Sequence, residues 1–153
     1  MSPSGPLSVF LSYARKDGAE LALRLRTDLA SMGVNPWFDF HEIAGGDSWS
    51  ENIERGIDGS NAVLALLTPG SYASRICRAE QSRALRKNKL VIPLLAKSAS
   101  DIPLHLEPSN YRDFTGAVPY ETQFQFLLED LGEGRGGARL KAEYRSTYVT
   151  APP

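Results

Sequence analysis

At 153 residues the chain is long enough for one domain with its own hydrophobic core, and 42% hydrophobic with 23% charged residues is the make-up of an ordinary soluble globular protein. A formal charge of −1 gives no basic surface for nucleic acid or an anionic membrane, and one cysteine with two histidines cannot build a conventional zinc site or an internal disulfide. The lone cysteine, with no basic leader and no apolar run long enough to cross a bilayer, sets the expectation of a soluble protein of the reducing cytoplasm.

In chain order, residues 1–6 (MSPSGP) are flexible by composition, and strand-like runs then alternate with helical patterns. Residues 7–12 form a short apolar strand. Asp17 opens a helix, with Glu20 three positions on in a capping-box arrangement. Ala22, Leu25, Leu29 and Met32 recur at helical spacing up to a stop at Gly33. Residues 34–39 read as a second strand, which Pro36 confines to a sheet edge. The loop 40–47 contains Gly45 and Gly46 and exceeds a minimal connection, which suggests mobility or a partner contact. Ser48 and Glu51 make a second capping box, for a helix whose buried stripe is Trp49, Ile53 and Ile57. Residues 61–67 are apolar enough for a strand covered on both faces, and Thr68-Pro69-Gly70 breaks it. A helix over 74–87 has basic residues in its last turn, where they complement the macrodipole, and its Arg75, Arg78 and Arg86 read as a solvated face. Residues 90–95 form a fourth strand, 99–108 a weak helix interrupted by Pro103, and 111–114 a short fifth strand. Phe124, Leu127, Leu128 and Leu131 stripe a last helix that ends at Gly132. From Glu133 the chain turns polar and glycine-rich and closes on Ala151-Pro152-Pro153, so 133–153 reads as a linker toward a further region.

Strand–helix alternation of this kind predicts one α/β domain over 7–132, a three-layer flavodoxin-like fold. Right-handed crossovers make a five-stranded parallel sheet of order 2-1-3-4-5 the economical topology, with helices on both faces. Ligands of such sheets bind beyond the carboxyl ends of the strands at the switch point, here between strands one and three. The loop Ser12-Tyr13-Ala14-Arg15-Lys16 leaves the first strand there, offering hydroxyls and two cations to an anionic ligand. The helix that starts near Ser74 borders the same crevice. At roughly 100° per residue its Glu80 falls between Ile76 and Cys77 on the apolar stripe, in line with Ala84. A carboxylate there is desolvated unless something pairs with it, and Arg83 and Lys87 lie close enough for a plain ion pair to be the competing reading.

Several chemistries are excluded by their motifs. The chain has no GxxxxGK[ST] and no GxGxxG. Gly46-Asp47-Ser48-Trp49-Ser50 fails the nucleophile-elbow pattern at its last position. A response-regulator receiver would share the topology, but it needs an Asp closing strand three, where this chain has Leu67-Thr68, and an acidic pair after strand one, where it has Ser12-Tyr13.

Taken together, the boxes resemble the TIR (Toll/interleukin-1 receptor/resistance) domain family, of the bacterial type. Val9-Phe10-Leu11-Ser12-Tyr13 followed by Asp17 is similar to its first box. Trp37-Phe38-Asp39 and then Gly45-Gly46-Asp47-Ser48-Trp49 resemble its second strand and the BB loop. Residues 60–67 and Val91-Ile92-Pro93-Leu94 resemble its third and fourth strands. Ser74-Arg75-Ile76-Cys77-Arg78-Ala79-Glu80 resembles the S-x-W-C-x-x-E signature of the catalytic helix, with Ile76 where many members carry Trp. The resemblance covers about residues 7–132.

What the resemblance implies is cleavage of NAD+ at the nicotinamide–ribose bond, with NAD+ as substrate and no separate cofactor or metal. Glu80 is the implied catalytic carboxylate, and Ser12, Tyr13, Arg15, Asp39, Trp49, Ile76 and Cys77 are the implied substrate-binding set. His41, Glu42, Ile43, Ala44, Gly45 and Gly46, in the BB loop, are the implied self-association surface, since activity in this family goes with assembly. A role in bacterial immunity or cell death and a fused oligomerisation or sensor domain are further implications. The competing reading is a TIR–TIR interaction module without catalysis, and a third is a nucleoside-processing enzyme of related fold.

Overall fold

A run such as Ala62–Leu67, apolar at every position, can be buried only where layers cover both faces of a sheet, and that requirement organises the molecule. The structure, a computed structural model, describes residues 7–37, 48–98 and 100–132, the side chains of 48–50 excepted. Elements follow in the order β1 (Ser8–Ser12), α1 (Arg15–Ser31), β2 (Asn35–Trp37), α2 (Ser48–Asp58), β3 (Ala62–Leu67), α3 (Pro69–Ala73), α4 (Arg75–Arg86), β4 (Leu90–Leu95), a 3₁₀ turn (Leu104–Leu106), β5 (Arg112–Asp113) and α5 (Tyr120–Gly132). The five strands are all parallel, in the order β2-β1-β3-β4-β5, as the alternation predicts. β2, with Pro36, is an edge strand. Among the described residues no helix is long and apolar enough to cross a membrane.

Alternate residues of the three central strands feed two cores. Val9 and Leu11 of β1, Leu64 and Leu66 of β3, and Ile92 and Leu94 of β4 pack beneath α1 and α5, against Ala22, Leu25, Leu29, Phe124, Leu127, Leu128 and Leu131. Phe10, Val63, Ala65, Leu67 and Val91 face the other way, against Ile53 and Ile57 of α2 and Ala84 of α4. The Trp37 ring stacks on Phe10 with centroids 5.1 Å apart and closes this second core at the β2 edge. The stripes expected of α1, α4 and α5 are thus the buried ones, and Gly33 follows α1 at a φ of 82°, where glycine is at home.

Four local expectations need correcting. Asp17 does not cap α1: the helix begins at Arg15 behind Ala14, with no side-chain cap. The Asp17 carboxylate reaches across instead, accepting from Thr68 Oγ1 at 2.7 Å and from the Gly70 amide at 2.8 Å. Thr68-Pro69-Gly70 ends β3 but is more than a break; Thr68 caps the short helix α3 in a reciprocal box with Ser71, and Pro69 takes the first-turn place that suits it. The weak helix expected over 99–108 reduces to the 3₁₀ turn behind Pro103. Among the described residues β2 spans three positions, starting one later than expected. Its remaining expected positions, 38 and 39, and the loop 40–47 lie outside the described residues, as do the Ser48 side chain of the second capping box and the segment 133–153.

Candidate active site

Parity along β1 decides what reaches the crevice. Ser12 shares its face with Phe10 and so points toward α2 and α4, whereas Tyr13 follows Leu11 and packs on the other core. Ser12 is fully buried and donates its hydroxyl hydrogen to Glu80 Oε1 at 2.8 Å, joining the end of β1 to the middle of α4 across 68 residues of sequence. Glu80 itself is only 2% exposed, in a helix whose other buried positions are Cys77, Gln81 and Ala84. Ser74 starts this helix, its side chain accepting from the Cys77 amide at 3.1 Å, and so sets the rotation that turns Glu80 inward.

Beside Glu80, α2 and α4 part to leave a cleft of about 420 Å³. Ile53, Ile57, Ile76 and Ala79 give it apolar walls, and Glu54, Ser82, Arg83 and Arg86 give it a polar rim. An apolar cleft with one buried carboxylate in its lining is the form that small-molecule sites take. The cations that periodicity offers to Glu80 are engaged elsewhere. Arg83 forms a two-pronged pair with Asp58, at 3.0 and 2.8 Å, and Lys87 approaches the same carboxylate at 3.9 Å. Those contacts hold Asp58 below the usual carboxylate range and push Arg83 up, the side-chain hydrogen bond being the main cause in each.

Of the expected site residues, the structure brings Ser12, Ile76 and Glu80 together. Cys77 is buried beneath the helix, Arg15 is exposed at the start of α1, and Tyr13 lies on the opposite face; none of the three lines the cleft. Asp39, the Trp49 side chain and His41, Glu42, Ile43, Ala44, Gly45 and Gly46 lie outside the described residues. Sequence reasoning missed Ile53 and Ile57 as cleft walls, reading them only as core; Arg86 is exposed, as a solvated face requires, and also stands on the cleft rim. It also missed Gln81 and His105, which lie 2.9 Å apart behind Ser12; a glutamine next to a stripe carboxylate was the one available signal.

Fold and site define a doubly wound α/β domain with a buried carboxylate at its switch crevice. Residues 9–128 match the TIR domain family, and the chain belongs to it. A curated relative, the 2′ cyclic ADP-D-ribose synthase BtTIR of Bacteroides thetaiotaomicron, is 24% identical over 111 residues, which is 70% of this chain and 39% of the relative. The chain therefore spans well under two thirds of that relative's length. Among solved structures, the TIR domain of the Toll-related receptor TRR-2 from Hydra magnipapillata superposes with a TM-score of 0.69 at 22% identity, covering 80% of this chain and 96% of that one. A 2-desoxiribosyltransferase from Leishmania mexicana shares the fold with a TM-score of 0.61 at 14% identity, over 81% of this chain and 98% of its own.

Proposed function

We propose that this TIR domain is an NAD+ glycohydrolase, with Glu80 as its catalytic carboxylate. The observation that carries the proposal is the placement of Glu80: 2% exposed, held by Ser12 at 2.8 Å, and part of the lining of a largely apolar 420 Å³ cleft. The nicotinamide of NAD+ is a cationic leaving group. When its bond to C1′ of the ribose breaks, nicotinamide departs neutral with the bonding pair, and positive charge passes to the sugar ring. A fixed carboxylate in a dry cleft favours that oxocarbenium-like state, because its charge is already in place and needs no reorganisation. Water completes hydrolysis to ADP-ribose, or a nucleophile within the same molecule completes cyclisation, which is the outcome named for the Bacteroides relative.

Activity is proposed to follow self-association through His41, Glu42, Ile43, Ala44, Gly45 and Gly46, in a longer protein whose other domain drives assembly, in a cytoplasmic immunity or cell-death system. The test is nicotinamide release from NAD+ by concentrated protein and by a forced oligomer. Wild type should turn over, and Glu80→Gln, which keeps the shape and removes the charge, should lose on the order of 100-fold in kcat. Equal rates for the two proteins would remove Glu80 from the mechanism. The alternative of a non-catalytic interaction module takes its support from Ile76, an aliphatic wall where a stacking ring would grip a substrate better. Self-association without nicotinamide release, even in the forced oligomer, would favour that alternative, and preference for a free nucleoside over NAD+ would point to transferase chemistry.

A further inference from the structure

Gln81 is 1% exposed, and its amide has two partners that define its orientation. The Ser12 hydroxyl commits its single hydrogen to Glu80 Oε1, so toward Gln81 it can only accept. The Gln81 nitrogen Nε2 therefore faces it, in a stretched contact of 3.5 Å. That leaves Gln81 Oε1 toward His105, whose Nε2 lies 2.9 Å away. An amide oxygen only accepts, so this imidazole nitrogen carries a hydrogen. Four side chains then form one sequence of donors pointing the same way, from His105 through Gln81 and Ser12 to Glu80. Bonds aligned in this manner polarise one another inside a protein. The 3₁₀ turn supplies the rigid end, because Leu106 is fully buried in the α2–α4 core and Pro103 is buried beside it.

We infer that His105 and Gln81 are positioning residues for the catalytic carboxylate: they hold the Ser12 hydroxyl in the rotamer that keeps its hydrogen on Glu80, and so keep Glu80 aimed at the cleft. The kinetic consequence rests on the NAD+ reading above; the hydrogen-bond order does not. Burial, aided by the Arg78 guanidinium, pushes the His105 imidazole below its ordinary 6.5, so the ring is neutral at neutral pH and must choose a tautomer.

Two measurements on the full chain test the inference. In nitrogen-15 spectra of the imidazoles, the signal that vanishes in His105→Gln belongs to His105. It should show the Nε2–H tautomer in wild type and gain Nδ1–H character in Gln81→Met, which keeps the volume and removes the acceptor. An unchanged tautomer in Gln81→Met would overturn the inference. In the nicotinamide assay, His105→Leu should lose about tenfold in kcat with KM within about twofold, the pattern of a misaimed group in an intact cleft. His105→Gln, which restores an N–H donor, should recover to within about threefold of wild type. A His105→Gln as slow as His105→Leu, or a His105→Leu as fast as wild type, would also overturn it. If wild type releases no nicotinamide at all, the NAD+ reading fails instead, and the tautomer measurement alone decides the relay. Should His105→Leu not fold, the tautomer shift and the His105→Gln rate decide.

Discussion

At the scale of single residues, the site turns on the hydrogen bond between Ser12 and Glu80. A carboxylate taken out of water is costly unless donors replace the water, and Ser12 supplies one from the neighbouring layer. Replacing Ser12 by alanine removes that donor and should cost about 1–3 kcal/mol of folding stability, as leaving a buried polar group under-satisfied does. Urea unfolding measures it, and a midpoint unchanged from wild type would show that Ser12 does not support the carboxylate. Glu80 was legible in the sequence because a charge on an apolar stripe is an anomaly of periodicity. Its partner was not: nothing in the spacing of Ser12 and Glu80, 68 positions apart, says that they meet. The parity of β1 carries that information, but only once the strand's first inward residue is known, and the same parity sends Tyr13 away from the cleft.

Elements show where local signals mislead and why. β4 runs over residues 90–95 as expected, since six consecutive residues rich in branched and apolar side chains have one low-energy use in a parallel sheet. Asp17 misled because it is a capping residue type, and capping is local while its actual bonds are not. Asp17 ties the first turn of α1 to the start of α3, and an added Cβ at Gly70 would lie 2.5 Å from the Asp17 carboxylate, so the clamp also fixes the residue type at position 70. Gly56 of α2 is a parallel case. A Cβ there would stand 2.6 Å from the Trp37 ring, which is itself stacked on Phe10. Alanine is the better helix former by about 1 kcal/mol. Overpacking against a rigid ring costs about 1–3 kcal/mol, so the clash wins. Gly56→Ala should unfold at lower urea and shift the tryptophan emission through the displaced Trp37. A gain in stability would mean that the α2–β2 packing is looser than these distances state.

Over the whole molecule, the three perturbed groups that titrate at or below neutral pH pull in one direction. Asp58 is held below its ordinary value of 3.8 chiefly by the hydrogen bond from Arg83. Asp113 is held below the same value by the Thr115 hydroxyl and amide, which donate to its Oδ1 at 2.6 and 2.8 Å. His105 is pushed below 6.5 by burial and by Arg78. In every case the folded group is depressed relative to the unfolded chain, so between the two values the unfolded state binds more protons. Each contribution is complete above the unfolded value and is lost as pH falls through the folded one. The histidine acts first, beginning near pH 6.5, and the two aspartates follow from about pH 3.8 downward. Stability should therefore decline in two stages on acidification. Salt should weaken the Asp58 part, because that pair lies near the surface and its charges are screened. His105→Gln removes the titrating ring, so it should flatten the first stage while leaving the second in place. Urea midpoints measured from pH 7.5 down to pH 3 separate the stages. A first stage that persists undiminished in His105→Gln would assign it to another group and free the imidazole behind Gln81 from the burial that the fold imposes on it.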